Sequence, residues 1–131
     1  MGNIVKIISA AICAVLGFLF GHADGMLYAL LAFMAIDYIS GVIIAIIRKE
    51  LSSEVGFKGI AKKIFMLMLV AVGHILDAYV IGDGDVFRNG VTGFYIANEG
   101  ISILENAGAL GLPLPKKLLD ILAQLRDKED K

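Results

Sequence analysis

Cysteine occurs once in the 131 residues, at Cys13 within an apolar run, so neither a disulfide framework nor a thiolate metal cluster can be built inside the chain. An excess of one charge sign is also missing. Lys and Arg number 12 against 13 Asp and Glu, a net charge of −1, and no polybasic character points to a nucleic-acid partner. Proline is confined to Pro113 and Pro115, and no internal repeat or low-complexity tract is present. What the chain has in excess is apolar surface. A hydrophobic content of 58% and a mean hydropathy of +0.80 exceed what a soluble core of 14.0 kDa uses, which places the chain among integral membrane proteins.

Residues 26–47 and 64–81 are apolar over the roughly 17 to 25 positions that a helix needs to cross hydrocarbon. Residues 4–20 reach the lower end of that range if Lys6 extends to the headgroups. This first segment loosely resembles a signal peptide ending at Gly21-His22-Ala23, but further spans follow at once and favour an uncleaved first helix. Met1-Gly2-Asn3 opens like a myristoylation site and fails at Lys6, where Ser or Thr is required. A fourth segment, 90–112, is long enough but impure. It sets eight strongly apolar residues, each worth about −0.3 to −0.6 kcal/mol, against two carboxylates at roughly +2.5 to +3.5, so it does not insert favourably on its own.

Basic residues near span ends stay on the cytoplasmic side. With four crossings and the N-terminus inside, Lys6, the central basic loop (Arg48, Lys49, Lys58, Lys62, Lys63) and the tail (Lys116, Lys117, Arg126, Lys128, Lys131) all fall inside, and only Arg88 is outside. The expectation is therefore an all-α membrane helical bundle over residues 1–112. Three transmembrane helices are joined by a fourth, polar-striped helix, and Pro113 and Pro115 end that helix ahead of a short amphipathic one in a cytoplasmic tail, 113–131.

The stripe is the candidate functional feature. Tyr95, Asn98, Glu99, Ser102, Glu105 and Asn106 recur at helical spacing and share one face, while Phe94, Ala97, Ile101 and Leu104 occupy another. Inside a membrane such a face turns to a bundle interior or a water-filled cavity. The alternative, a helix lying in the interface, favours Lys and Arg on its polar face, and this face has none. The stripe is expected to lack partners while chains are dispersed and to find them on self-association. Three further ionisable residues fall within spans: Asp37, and His74 with Asp77 one helical turn apart. Ser9, Cys13, Gly17 and Gly21 form a ridge of small side chains on the first helix, an association face for another helix.

Enzyme motifs are weak. Gly82-Asp83-Gly84-Asp85 fits the G-x-G-D of intramembrane aspartyl proteases, yet it falls in a turn where Gly and Asp are the ordinary residues. As a calcium loop it lacks the remaining EF-hand ligands. No catalytic residue, cofactor site or metal site is expected.

Several blocks in one order carry a family resemblance: DYISG (37–41), LSSEVGFKGIAKK (51–63), Asp77, FYIANEGISILEN (94–106) and GLPLPKKL (111–118). Across about two thirds of the chain they resemble the toxin-secretion and phage-lysis holins of Gram-positive bacteria and their phages. The resemblance implies a small multi-pass protein of the bacterial cytoplasmic membrane that homo-oligomerises in the lipid bilayer into lesions. Those lesions release an endolysin, which passes through without being bound, or in some clostridia a large toxin, and they collapse the proton-motive force. The resemblance transfers no catalytic residues. The family is often described with three spans, where the charge count argues for four. An antiholin or membrane adaptor, or a small ion or proton channel, are the competing readings.

Overall fold

The computed structural model describes residues 1–130, the side chains of residue 122 and of residues 125–130 excepted. Five helices follow one another: α1 (Gly2–Phe20), α2 (Gly25–Ile47), α3 (Ser53–Ile75, continued by a π-helical segment Leu76–Ile81), α4 (Val86–Ala109) and α5 (Lys116–Asp130). No strand occurs among the described residues, and the expected all-α membrane bundle is the fold observed. Lys131, assigned with the tail, lies outside the described residues, as do the side chains of Arg126 and Lys128.

Local chemistry sets the boundaries. Asp24 starts α2 by accepting from the Leu27 amide at 3.0 Å, and Ser52 starts α3 by accepting from Val55 at 3.1 Å. Both α2 and α4 end in a Schellman motif. At α4 the left-handed position is Gly111 (φ 81°), with Leu112 N–H donating to Ala107 O and Gly111 N–H to Gly108 O. At α2 it is Lys49 (φ 58°), a side-chain-bearing residue in a conformation that suits glycine.

Two expected boundaries are corrected. Lys58, Lys62 and Lys63, placed by sequence in a basic loop with Arg48 and Lys49, stand on α3. Falling hydropathy marks where a helix leaves the lipid, whereas the Ser52 cap and Glu54 in the first turn mark where this helix begins, two turns or more before the apolar run. Likewise α4 begins at Val86, ahead of the expected residue 90.

The packing inverts the order found in soluble proteins. Helix α4, the least apolar of the four long helices, lies in the middle against α2 and α3 and buries Arg88, Thr92, Ala97, Glu99, Gly100 and Ile101. The small apolar core joins Leu30 and Met34 of α2 to Val70 of α3, with Val91, Tyr95 and Ile96 of α4 packed against it. Large apolar side chains such as Ile7, Ile12, Ile39, Ile43, Phe65 and Met68 point outward. Such a surface suits hydrocarbon, since lipid imposes no penalty on exposed Ile or Phe. Three helices, α1, α2 and α3 with its π segment, are long and apolar enough to cross a membrane. Helix α1 buries no residue; its backbone rests on α3 and stands off that of α2, its sequence neighbour.

Candidate functional site

Three charged side chains from three helices meet inside the bundle. Lys63 of α3 places its ammonium 2.8 Å from Asp37 Oδ2 of α2 and 2.9 Å from Glu99 Oε2 of α4. Asp37 Oδ1 accepts from Ser102 Oγ at 2.6 Å and from Asn106 Nδ2 at 3.2 Å, and Asn106 also donates to Ser40 Oγ at 2.8 Å. Asp37 stands ten residues before the end of α2, about 15 Å along its axis, so the cluster sits near the middle of that helix. Side-chain exposure is 14% for Asp37, 17% for Lys63 and 3% for Glu99, too little for bulk water to solvate all three charges.

A cleft of about 690 Å³ leads to this cluster between α2 and α3. Leu51 and Val55 flank it near the α2–α3 connection, and Asp37, Lys63, Asn98 and Glu99 form its polar part. Gly56 and Gly59 leave room for Tyr38, whose hydroxyl would stand 3.3 Å from a Cβ at Gly56 and whose ring 3.3 Å from one at Gly59.

A second polar cluster ties the opposite end together. The buried Arg88 guanidinium donates to Phe20 O (2.9 Å), His22 O (2.9 Å) and both Asp24 oxygens (2.9 and 3.3 Å). It thereby holds the end of α1 and the α1–α2 turn against α4. Asp77, 1% exposed, accepts from the amides of Phe87 (3.0 Å) and Arg88 (2.8 Å) and caps α4 from across a turn, while Asp85 makes no side-chain capping bond. The π segment that carries Asp77 ends at Gly82 (φ 85°), whose amide donates to Asp77 O. Arg88 also holds the Asp24 carboxyl below its ordinary pKa, aided by the Leu27 amide.

Of the expected stripe, the structure gathers Glu99, Ser102 and Asn106 at the ionic cluster and places Tyr95 and Asn98 on the cleft wall. Glu105 is exposed. The idea that this face lacks partners until chains gather is corrected, because Asp37 and Lys63 of the same chain supply them. His74 and Asp77, expected to share a face, serve different neighbours. The His74 ring lies against Gly21, where a Cβ would come within 2.6 Å of it, and its Nδ1 is buried without a hydrogen-bond partner. Within the ridge, Cys13, Gly17 and Gly21 border a second cavity of about 420 Å³ with Leu27, Leu31 and Leu67, and Ser9 is exposed on α1. No group of residues able to hold a metal ion occurs among the described residues.

Sequence reasoning placed Lys63 in the basic loop and Arg88 in a turn, and missed the contacts that each makes inside the bundle. The signal for Lys63 is helical phase, since 63, 66, 67, 70 and 77 share the face of α3 that turns inward. Arg88 has no comparable signal, because most of what it binds is backbone.

An all-helical, multi-pass membrane protein with its ionic groups turned inward is the class that this architecture defines. Its sequence narrows the class. The chain belongs to the bacteriophage holin family, whose sequence pattern matches residues 14–127. Among its relatives, the uncharacterized protein Lin0175 of Listeria innocua is 43% identical, covering 100% of this chain and 96% of its own length. An uncharacterized 14.9 kDa protein in the nagH 3' region of Clostridium perfringens is 42% identical over 98% and 100% of the two chains. YtkC of Bacillus subtilis, also uncharacterized, is 35% identical over 86% and 83%. No solved structure matches the chain.

Proposed function

We propose that the protein accumulates in the bacterial cytoplasmic membrane with both termini on the cytoplasmic side, then oligomerises into lesions that release an endolysin or a large toxin and collapse the membrane potential. One observation carries this reading beyond family membership. The polar groups able to line a hydrated hole, Asp37, Lys63, Glu99, Ser102 and Asn106, are folded against one another inside a chain whose outer surface is apolar. A closed chain of this kind disperses in lipid. Separating α4 from α2 and α3 exposes its polar face, and lipid cannot solvate that face, so several copies and water must complete it together. Interhelical polar contacts contribute only about 0.6 to 2 kcal/mol each, and assembly becomes steep when several per chain are exchanged at once.

Expression in a bacterium with and without a co-expressed endolysin tests the reading. Lysis that requires endolysin, with loss of potential and escape of a protein-sized cytoplasmic reporter, is the expected result. Loss of potential with the reporter retained would indicate an ion channel. An intact potential would indicate an antiholin or adaptor.

A further inference from the structure

We propose that the Glu99 carboxyl group is a proton-binding site of the closed bundle, reached through the cleft between α2 and α3. The charge count motivates it. Asp37 and Glu99 share a single ammonium, Lys63, and with both acids ionised the cluster holds a net charge of −1 among helices built for hydrocarbon. An unbalanced charge in such surroundings is neutralised more readily than it is solvated. One proton makes the cluster neutral.

The hydrogen bonds say which oxygen carries it. Asp37 accepts three donors, Lys63 and Ser102 and the Asn106 amide, and each stabilises a carboxylate. Glu99 accepts one, from Lys63 on Oε2. The two carboxyl groups meet at one ammonium, Asp37 Oδ2 at 2.8 Å and Glu99 Oε2 at 2.9 Å from Lys63 Nζ, and the acid with fewer donors is the one to keep the proton. The remaining ionisable groups that border the cleft are Tyr38 of α2, Lys62 of α3 and Tyr95 of α4; α1 and the described residues of α5 contribute none. At about 30 Å³ per molecule the cleft has room for on the order of 20 waters, enough for a hydrogen-bonded path from the α2–α3 connection.

An alkali cation is the competing source of one positive charge. It needs several oxygen ligands, and both Asp37 carboxylate oxygens and Glu99 Oε2 already accept hydrogen bonds. The proton needs only Glu99. Losing it leaves two anions on one ammonium, which drives α4 away from α2 and draws water into the seam. That last consequence rests on the lesion-forming reading; proton binding itself does not.

Infrared difference spectroscopy of the full-length protein in vesicles of phosphatidylethanolamine and phosphatidylglycerol tests the proposal without any lysis readout. At neutral pH the expected spectrum contains a protonated carboxyl C=O band. It shifts when glutamate, but not aspartate, carries a ¹³C-labelled carboxyl group. It disappears in Glu99→Gln, persists in Glu105→Gln, and is unchanged when sodium is replaced by choline. If Glu99→Gln fails to fold, the isotope-labelled wild type together with Glu105→Gln still decides between the outcomes. Absence of the band at neutral pH, a shift with labelled aspartate alone, survival in Glu99→Gln, or appearance of the band only when sodium is withdrawn would each overturn it. Failure of lysis in cells with the band intact would instead remove the lesion-forming reading and leave the proton site standing.

Discussion

Replacing Arg88 tests how the end of the bundle that carries the α1–α2 turn is held. Its guanidinium is 3% exposed and joins Phe20 O, His22 O and Asp24. Hydrogen bonds to a charged group contribute about 1.5 to 3 kcal/mol each, so the two carbonyl contacts together amount to roughly 3 to 6. The Asp24 pair adds little, because its side chain is 45% exposed and a solvent-screened ion pair contributes about 0 to 1 kcal/mol. Some freed carbonyls find water at the membrane surface. The expected loss for Arg88→Ala is therefore about 3 to 5 kcal/mol. A lysine keeps the charge but cannot reproduce the planar fork, and Arg88→Lys is expected to recover no more than about half of that loss. Circular dichroism of the full chain in mixed micelles, titrated with dodecyl sulfate, measures both variants. If both unfold within about 0.5 kcal/mol of the wild type, the range of ordinary surface substitutions, the guanidinium does not hold α1 in place.

Other outcomes follow from single contacts. Gly73→Val is expected to destabilise by about 1 to 3 kcal/mol, because a Cβ at Gly73 stands 3.0 Å from Phe87 O and 3.1 Å from Arg88 Cα, backbone atoms of α4 that cannot swing aside; the same micelle titration reads it. Lys49→Gly relieves the left-handed position at the end of α2 and should stabilise by about 0.5 to 1 kcal/mol by that titration. Asp24 has a folded pKa below its ordinary 3.8, so its contribution is complete above that value and is lost as pH falls through the lower, folded value. An acid series should show this loss in the wild type and not in Asp24→Asn.

The helical class, the number of long helices and the polar face of α4 were legible in the sequence, because helical period and apolar length are local properties. Glu99, Ser102 and Asn106 needed only their spacing to be found. Their partners did not follow, since Asp37 and Lys63 lie 65 and 36 residues from the α4 groups they meet. Lys63 was hidden for a second reason. Reading the five basic residues of 48–63 as a loop treated charge as a mark of helix ending, whereas it marks only where a helix stands relative to lipid. The capping of α4 was out of reach as well, because Asp85 is the natural candidate by position and the observed cap, Asp77, enters from the π segment of α3.

The central position of α4 bears on how the chain is made. A ribosome delivers α4 after α1, α2 and α3, and its two glutamates disfavour entry into the bilayer unaided. Because Asp37 and Lys63 sit on helices that emerge earlier, a counter-charge and a hydrogen-bond acceptor are already waiting when Glu99 and Ser102 arrive. The last long helix thus meets its polar partners on segments made before it, and the order of synthesis favours the closed packing.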